Sequence, residues 1–171
     1  MGREIRRVPP NWQHPEKDYP DYRSGRMEKG YQPLYDRPFA PEMDEWYAEW
    51  KSWENGTHPD KADNGEYTFW EWHGSPPDPI YHRPDWPEGT ATWWQVYETV
   101  SEGTPVTPPF STPEELIDYL ATNGDFWDQK RGDGPWSRAN AEAFVRRGWA
   151  SSLVVMGGTV HAPRDGVPAT L

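Results

Sequence analysis

Apolar positions along this chain fall into a few periodic stretches set in proline-rich ground. Met43, Trp46, Trp50 and Trp53 recur at helical spacing, which predicts a helix from Pro41 to Gly56. Pro41 suits its first turn, acidic residues begin it where the dipole favours them, and Asn55-Gly56 supplies the stop. The same helix gathers Glu42, Glu45 and Glu49 on another face. Glu66 to His73 is rich in aromatics and Thr and predicts a β-strand. Thr92 to Val100 alternates, with Trp94, Val96 and Glu98 on one side and Trp93, Gln95, Tyr97 and Thr99 on the other. Thr112-Pro113-Glu114-Glu115 opens a helix whose apolar face is Leu116, Ile117 and Leu120, and Asn123-Gly124 ends it. Ser137 caps a second helix, Arg138 to Arg147, with Ala141, Phe144 and Val145 inward and Gly148 as the stop. Ser152 to Val160 predicts a strand, a tight turn and a short return, while the tail after Pro163 is weakly specified.

These elements define a small, aromatic-rich α+β protein with a strand–helix–helix–strand unit in its C-terminal half. Prolines at 9, 10, 15, 20, 33, 38 and 41 exclude a long helix before it. The N-terminal part therefore reads as a Pro-rich, largely irregular arm, with Trp12, Tyr19, Tyr22, Tyr31, Tyr35 and Phe39 spaced to pin it onto a body. The expected organisation is an arm over residues 1–40, a Trp-rich helix and strand segment over 41–89, and an α+β module over 90–171. There is no internal repeat.

Composition sharpens this picture. Only 34% of the 171 residues are hydrophobic and the mean hydropathy is -1.06, values that lean toward disorder. Against that, 15% are aromatic, including 12 Trp, and large rings hold a core with few aliphatics. The net charge of -11 disfavours direct duplex nucleic acid, and it reads either as solubility alone or as an acidic surface that favours a basic partner. Within that acidic chain Arg3, Arg6 and Arg7 form a small basic cluster, read as an exposed terminus paired with the chain's own carboxylates or as a phosphate contact.

The absence of cysteine excludes disulfides, thiolate zinc sites and a cysteine nucleophile. No apolar run is long enough to span a bilayer, and the opening residues lack the apolar segment of a signal peptide, so a cytoplasmic protein is expected. His73 and His82 bracket a Pro-rich loop with Asp78, at a spacing that matches no common zinc pattern. Asp125, Asp128 and Asp133 lie in the stretch from Gly124 to Trp136 without the alternation of a calcium loop, and that stretch reads as a turn or a partner-binding loop. Neither a nucleophile elbow nor a Gly-rich phosphate loop is present, so no catalytic residue, metal or cofactor is assigned and the reading is a non-enzyme.

The block from Tyr97-Glu98-Thr99-Val100-Ser101-Glu102-Gly103-Thr104-Pro105-Val106 through Thr112-Pro113-Glu114-Glu115-Leu116 resembles the C-terminal module of small uncharacterised proteins of tailed phages and prophages. Ile5-Arg6-Arg7-Val8-Pro9 is similar to the start of the same group. The resemblance implies a phage or prophage origin, hence the host cytoplasm, and no catalytic residues. In that group many members carry paired cysteines of a zinc-ribbon kind in the middle, and this chain has none, so no zinc role is carried over. The expectation is an accessory protein that binds a basic host protein or ribonucleoprotein and inhibits a nucleic-acid-handling or defence complex, in the manner of an anti-CRISPR. Glu42, Glu45, Glu49, Asp125, Trp127 and Asp128 are its candidate partner-binding residues. The alternative is a virion or assembly component that wraps its arm along a neighbour.

Overall fold

A computed structural model describes residues 2–99, 102–150, 154–156 and 159–161. In chain order its elements are β1 (Arg3–Val8), β2 (Glu16–Asp21), β3 (Arg26–Tyr31), β4 (Tyr35–Pro38), α1 (Phe39–Glu54), α2 (Lys61–Asn64), α3 (Phe69–His73), a 3₁₀ turn (Pro79–Tyr81) and β5 (His82–Arg83). They continue with β6 (Trp93–Glu98), α4 (Pro113–Asn123), α5 (Phe126–Arg131), α6 (Arg138–Arg147), β7 (Trp149–Ala150), β8 (Val154–Met156) and β9 (Thr159–His161). The protein is α+β. It divides into two compact units, one of residues 1–33 with 86–171 and the other of residues 34–85.

In the first unit β1 is the middle strand of an antiparallel sheet ordered β6-β1-β7. This corrects the arm expected at the N-terminus, because Arg3 to Val8 carries no proline and pairs along its whole length with β6. Pairing of Ile5 with Val96 puts both on one face, as the alternation of β6 predicts. Residues 104–110 run back along the free edge of β6, with Val106 N donating to Val96 O at 2.8 Å and Trp94 and Phe110 exchanging two bonds of 2.8 Å. On that face α4 and α6 close a core of Val96, Val106, Leu116, Leu120, Trp136, Ala141, Phe144, Val145 and Ala150. Prolines further along the expected arm do not prevent a hairpin either: β2 and β3 pair from Glu16–Tyr31 to Asp21–Arg26. Gly30 permits this packing, since a Cβ there would lie 3.1 Å from the Tyr19 ring.

The second unit is built around α1. Trp46 and Trp53 on its predicted stripe are buried with Phe69 of α3, and Met43, Trp50 and Trp72 pack around them. Trp53 stacks on Trp72 at 4.7 Å between centroids, and Trp46 meets Phe69 edge-on at 5.3 Å. The strand expected from Glu66 to His73 is instead the short helix α3. Its cause is a capping box: Thr68 Oγ1 accepts from Glu71 N at 3.3 Å while Thr68 N donates to Glu71 Oε2 at 2.8 Å. The β4–β5 pair is parallel.

Of the strand and return expected over 152–160, β8 and β9 pair antiparallel from Val154–His161 to Met156–Thr159. Ser152, Leu153, Gly157 and Gly158 of the expected turn, the positions Val100 and Ser101, and the tail after Pro163 lie outside the described residues.

Candidate functional site

Of the six residues expected to bind a partner, three sit on α1 and three at the start of α5. The α1 carboxylates share an accessible face. Arg37 reaches Glu42 Oε2 at 2.7 Å and also pairs with Glu45, and its hydrogen bond holds the Glu45 carboxyl below the usual glutamate range. Glu49 pairs with His73 at 3.0 Å. Exposed pairs of this kind contribute little to stability, so these carboxylates stay available to compete for an incoming cation. The same unit exposes Tyr67 and Trp70, the last at 53%, and Tyr47, which lies on the opposite side of α1 from these carboxylates. Residues 34–85 contain twelve Asp and Glu against four Lys and Arg, a net -8 of the chain's -11.

The α5 carboxylates are corrected by the structure: Asp125 is 1% and Asp128 4% exposed, and neither is offered to a surface. Asp125 caps α5, accepting from Trp127 N at 2.7 Å and Asp128 N at 3.1 Å, and forms an ion pair with Arg3 Nε at 2.6 Å. Asp128 completes the capping box by accepting from Asp125 N at 3.1 Å, and it also accepts from Trp136 Nε1 at 2.7 Å. The stretch read as a turn thus contains a helix fixed at its start by two buried acids. Gly124 is part of that fit, since its φ of +74° and a Cβ contact of 2.8 Å to Asp128 Cβ both disfavour a side chain. Asp133 turns to Arg131 Nε at 2.7 Å.

The basic cluster is likewise internal for the most part. Arg3 is spent on Asp125, while buried Arg6 lies 4.4 Å from the Tyr97 ring centre and donates to Glu4 at 2.6 Å and to Glu102 O at 2.9 Å. Arg7, exposed, lies 4.0 Å over Trp94.

Trp127, the sixth candidate, is half-buried; its Nε1 donates to Glu98 Oε2 at 2.9 Å. It forms part of a groove of about 1140 Å³ in the first unit, walled by Trp12, Tyr19, Tyr31, Tyr119 and Phe126 with Pro15, Pro105, Pro108 and Pro109. His14 and Gln95, 8% and 4% exposed, are among its lining residues. His14 Nε2 donates to Gln32 O at 2.6 Å, and its Nδ1 lies 3.1 Å from the Tyr97 hydroxyl. That hydroxyl donates to Gln95 Oε1 at 3.1 Å, and Gln95 Nε2 donates to Thr107 O at 2.9 Å. Burial pushes the His14 pKa down to about 4, with nearby Arg6 acting the same way, against the Gln32 hydrogen bond. Sequence reasoning placed Gln95 and Tyr97 on one face and expected Trp12, Tyr19 and Tyr31 to pin the chain, yet nothing in the spacing announced that they share a groove.

Two further histidines, His82 and His73, have local roles. His82 Nδ1 lies 3.1 Å from the Arg37 carbonyl, and His73 stacks on Phe69 at 4.9 Å. Among the described residues no three His, Asp or Glu side chains converge as metal ligands, and no helix is long and apolar enough to cross a membrane. Comparison with protein-family models, curated proteins and solved structures finds no match to this chain.

Proposed function

We propose that this chain acts by binding a basic protein or ribonucleoprotein through the acidic, aromatic surface of its Leu34–Asp85 unit. The observation that carries this reading is the segregation of charge, -8 within that unit, in a unit that also exposes Tyr67 and Trp70. Carboxylates steer a cationic surface into encounter, and large rings with few rotatable bonds supply the anchors. Glu42, Glu45 and Glu49 are the proposed contacts, since all three project from one face of α1. In the phage setting that the resemblance of the C-terminal block implies, the partner is a nucleic-acid-handling or defence complex of the host cytoplasm, inhibited by occlusion of its basic nucleic-acid site. The chain needs no catalysis for that role. A free arm was the basis of the assembly reading, and β1 seated in the chain's own sheet removes that support.

The test is affinity purification of the tagged chain from lysogenic or infected host cells, with mass spectrometry of the eluate, repeated with Glu42→Lys/Glu45→Lys/Glu49→Lys. A basic nucleic-acid-handling protein recovered with the native chain and lost with the triple variant is the expected result. Recovery of the same partner by both chains removes the α1 face from consideration, and an eluate of capsid or tail proteins replaces inhibition with assembly.

A further inference from the structure

The polar groups of the first unit's groove are mismatched: Trp12 Nε1 is a buried donor without an acceptor among the described residues, while the His14–Tyr97–Gln95 floor is short of one donor. Because the Gln32 carbonyl accepts from His14 Nε2, the proton of the neutral ring is on that nitrogen and Nδ1 is a bare acceptor. Because the Thr107 carbonyl accepts from Gln95 Nε2, the Gln95 amide is oriented with Oε1 toward the Tyr97 hydroxyl. One hydroxyl proton therefore faces two acceptors, each 3.1 Å away. Whichever it serves, a buried acceptor on a groove-lining side chain lacks a donor, an arrangement that folded proteins rarely leave unanswered. Protonation of His14 does not answer it near neutral pH, given its low pKa.

The walls and rim narrow what brings the missing donor. Trp12, Tyr19, Tyr31, Tyr119 and Phe126 wall the groove with aromatic surface of the kind that takes a planar ligand. Lys29 is in the lining, Lys17 Nζ lies 4.7 Å from the Tyr19 ring centre, and Lys130 Nζ lies 5.6 Å from that of Phe126 and 5.1 Å from that of Trp127. Glu16 is the one carboxylate in the lining. A purely apolar ligand leaves the floor short of a proton, and a cationic one meets the lysines. An anion with a planar, amine-bearing ring answers both.

We infer that this groove binds a nucleotide, its base stacked on the aromatic walls with an exocyclic amine at the His14–Gln95 floor and its phosphate toward Lys29 and Lys130. The volume of about 1140 Å³ accommodates one nucleotide with room to spare. Base-paired duplex does not fit this chemistry, because its amines and ring faces are already engaged. The ligand is thus a free nucleotide or an unpaired residue of a single strand. This inference concerns residues 1–33 and 86–171 and stands independently of the partner proposed for the acidic unit.

The experiment titrates the full chain, by tryptophan fluorescence and calorimetry, with adenosine monophosphate, inosine monophosphate, inorganic phosphate and a short oligoadenylate. Adenosine monophosphate is expected to bind and quench. Inosine monophosphate, with a carbonyl in place of the amine, is expected to bind at least about tenfold more weakly. Tyr31→Ala and Lys29→Glu, both at exposed positions, are expected to weaken binding by about fivefold or more with circular dichroism unchanged. A tighter, salt-dependent complex with oligoadenylate identifies a single strand as the source, whereas equal affinity identifies the free nucleotide. Absence of heat and quenching with adenosine monophosphate overturns the inference. So does equal affinity for the inosine compound, or quenching by inorganic phosphate equal to that by the nucleotide.

Discussion

Asp125 concentrates three jobs in one carboxylate: it caps α5, neutralises Arg3 and joins β1 to the C-terminal half of the chain. Both partners of the ion pair are almost wholly buried. Removing one charge leaves the other in a low-dielectric interior, a loss of about 3–5 kcal/mol. Asp125→Ala is therefore expected to lower unfolding stability by that amount in urea, and a change below about 1 kcal/mol would contradict the buried pairing. His14 makes a pH-dependent contribution of the opposite chemical kind. Its folded pKa of about 4 lies below the ordinary 6.5, so between those values the unfolded chain binds the extra proton. The native contribution of a neutral His14 is complete above pH 6.5 and falls as pH drops toward 4, by about 3 kcal/mol for that separation. Urea unfolding from pH 7 to 4 should show that decline, and His14→Asn should flatten it; an identical slope in the variant would assign the loss to carboxylates instead.

Helix starts show what was legible at the element level and what was not. Thr112-Pro113-Glu114-Glu115 spells a capping box in the sequence, and Thr112 Oγ1 accepts from Glu115 N at 3.2 Å. Thr68 and Glu71 carry the same spacing, but the aromatic run around them has high strand propensity and concealed it. Local capping and burial of Phe69 against Trp46 and Trp53 decide the outcome. Thr68→Ala is expected to cost about 1 kcal/mol and to loosen α3, seen as faster amide exchange in Phe69–His73 with little change in α4. Equal loss of protection in both helices would mean that the cap is not what localises the effect. A different limit applied to β1. Its alternation was too short and too rich in Arg to announce a central strand, because the reason those arginines are tolerated there, Asp125 for Arg3 and the Tyr97 ring for Arg6, lies about a hundred residues away. The Trp stripe of α1 and the inward residues of α6 were legible because their periodicity is local. The groove was not, because Gln95, His14 and Phe126 reach it from three separate parts of the sequence.

Charge is distributed through the whole molecule so that two different recognition chemistries coexist in one acidic chain. The Leu34–Asp85 unit holds -8, which leaves -3 for the larger unit and its lysine-rimmed groove. Long-range steering of a basic partner depends on the first number, while nucleotide binding depends on groups within a few ångströms of the ligand. The two activities should therefore respond differently to salt and to mutation. For the Glu42→Lys/Glu45→Lys/Glu49→Lys variant, the unit changes by six charge units, and the association rate with the partner should fall by at least about tenfold at low salt. Its dependence on ionic strength should become shallower, because the attraction that salt screens has been removed. Dissociation should change less, since the exposed rings remain as anchors. Adenosine monophosphate affinity should be unaltered in the same variant, and partner binding unaltered in Tyr31→Ala. Surface plasmon resonance across a salt series measures the first pair of quantities and calorimetry the second. A triple variant whose association rate keeps its native salt slope would show that the acidic helix face is solvated surface. The -8 would then serve solubility, and the search for the partner contact would move to the exposed rings alone.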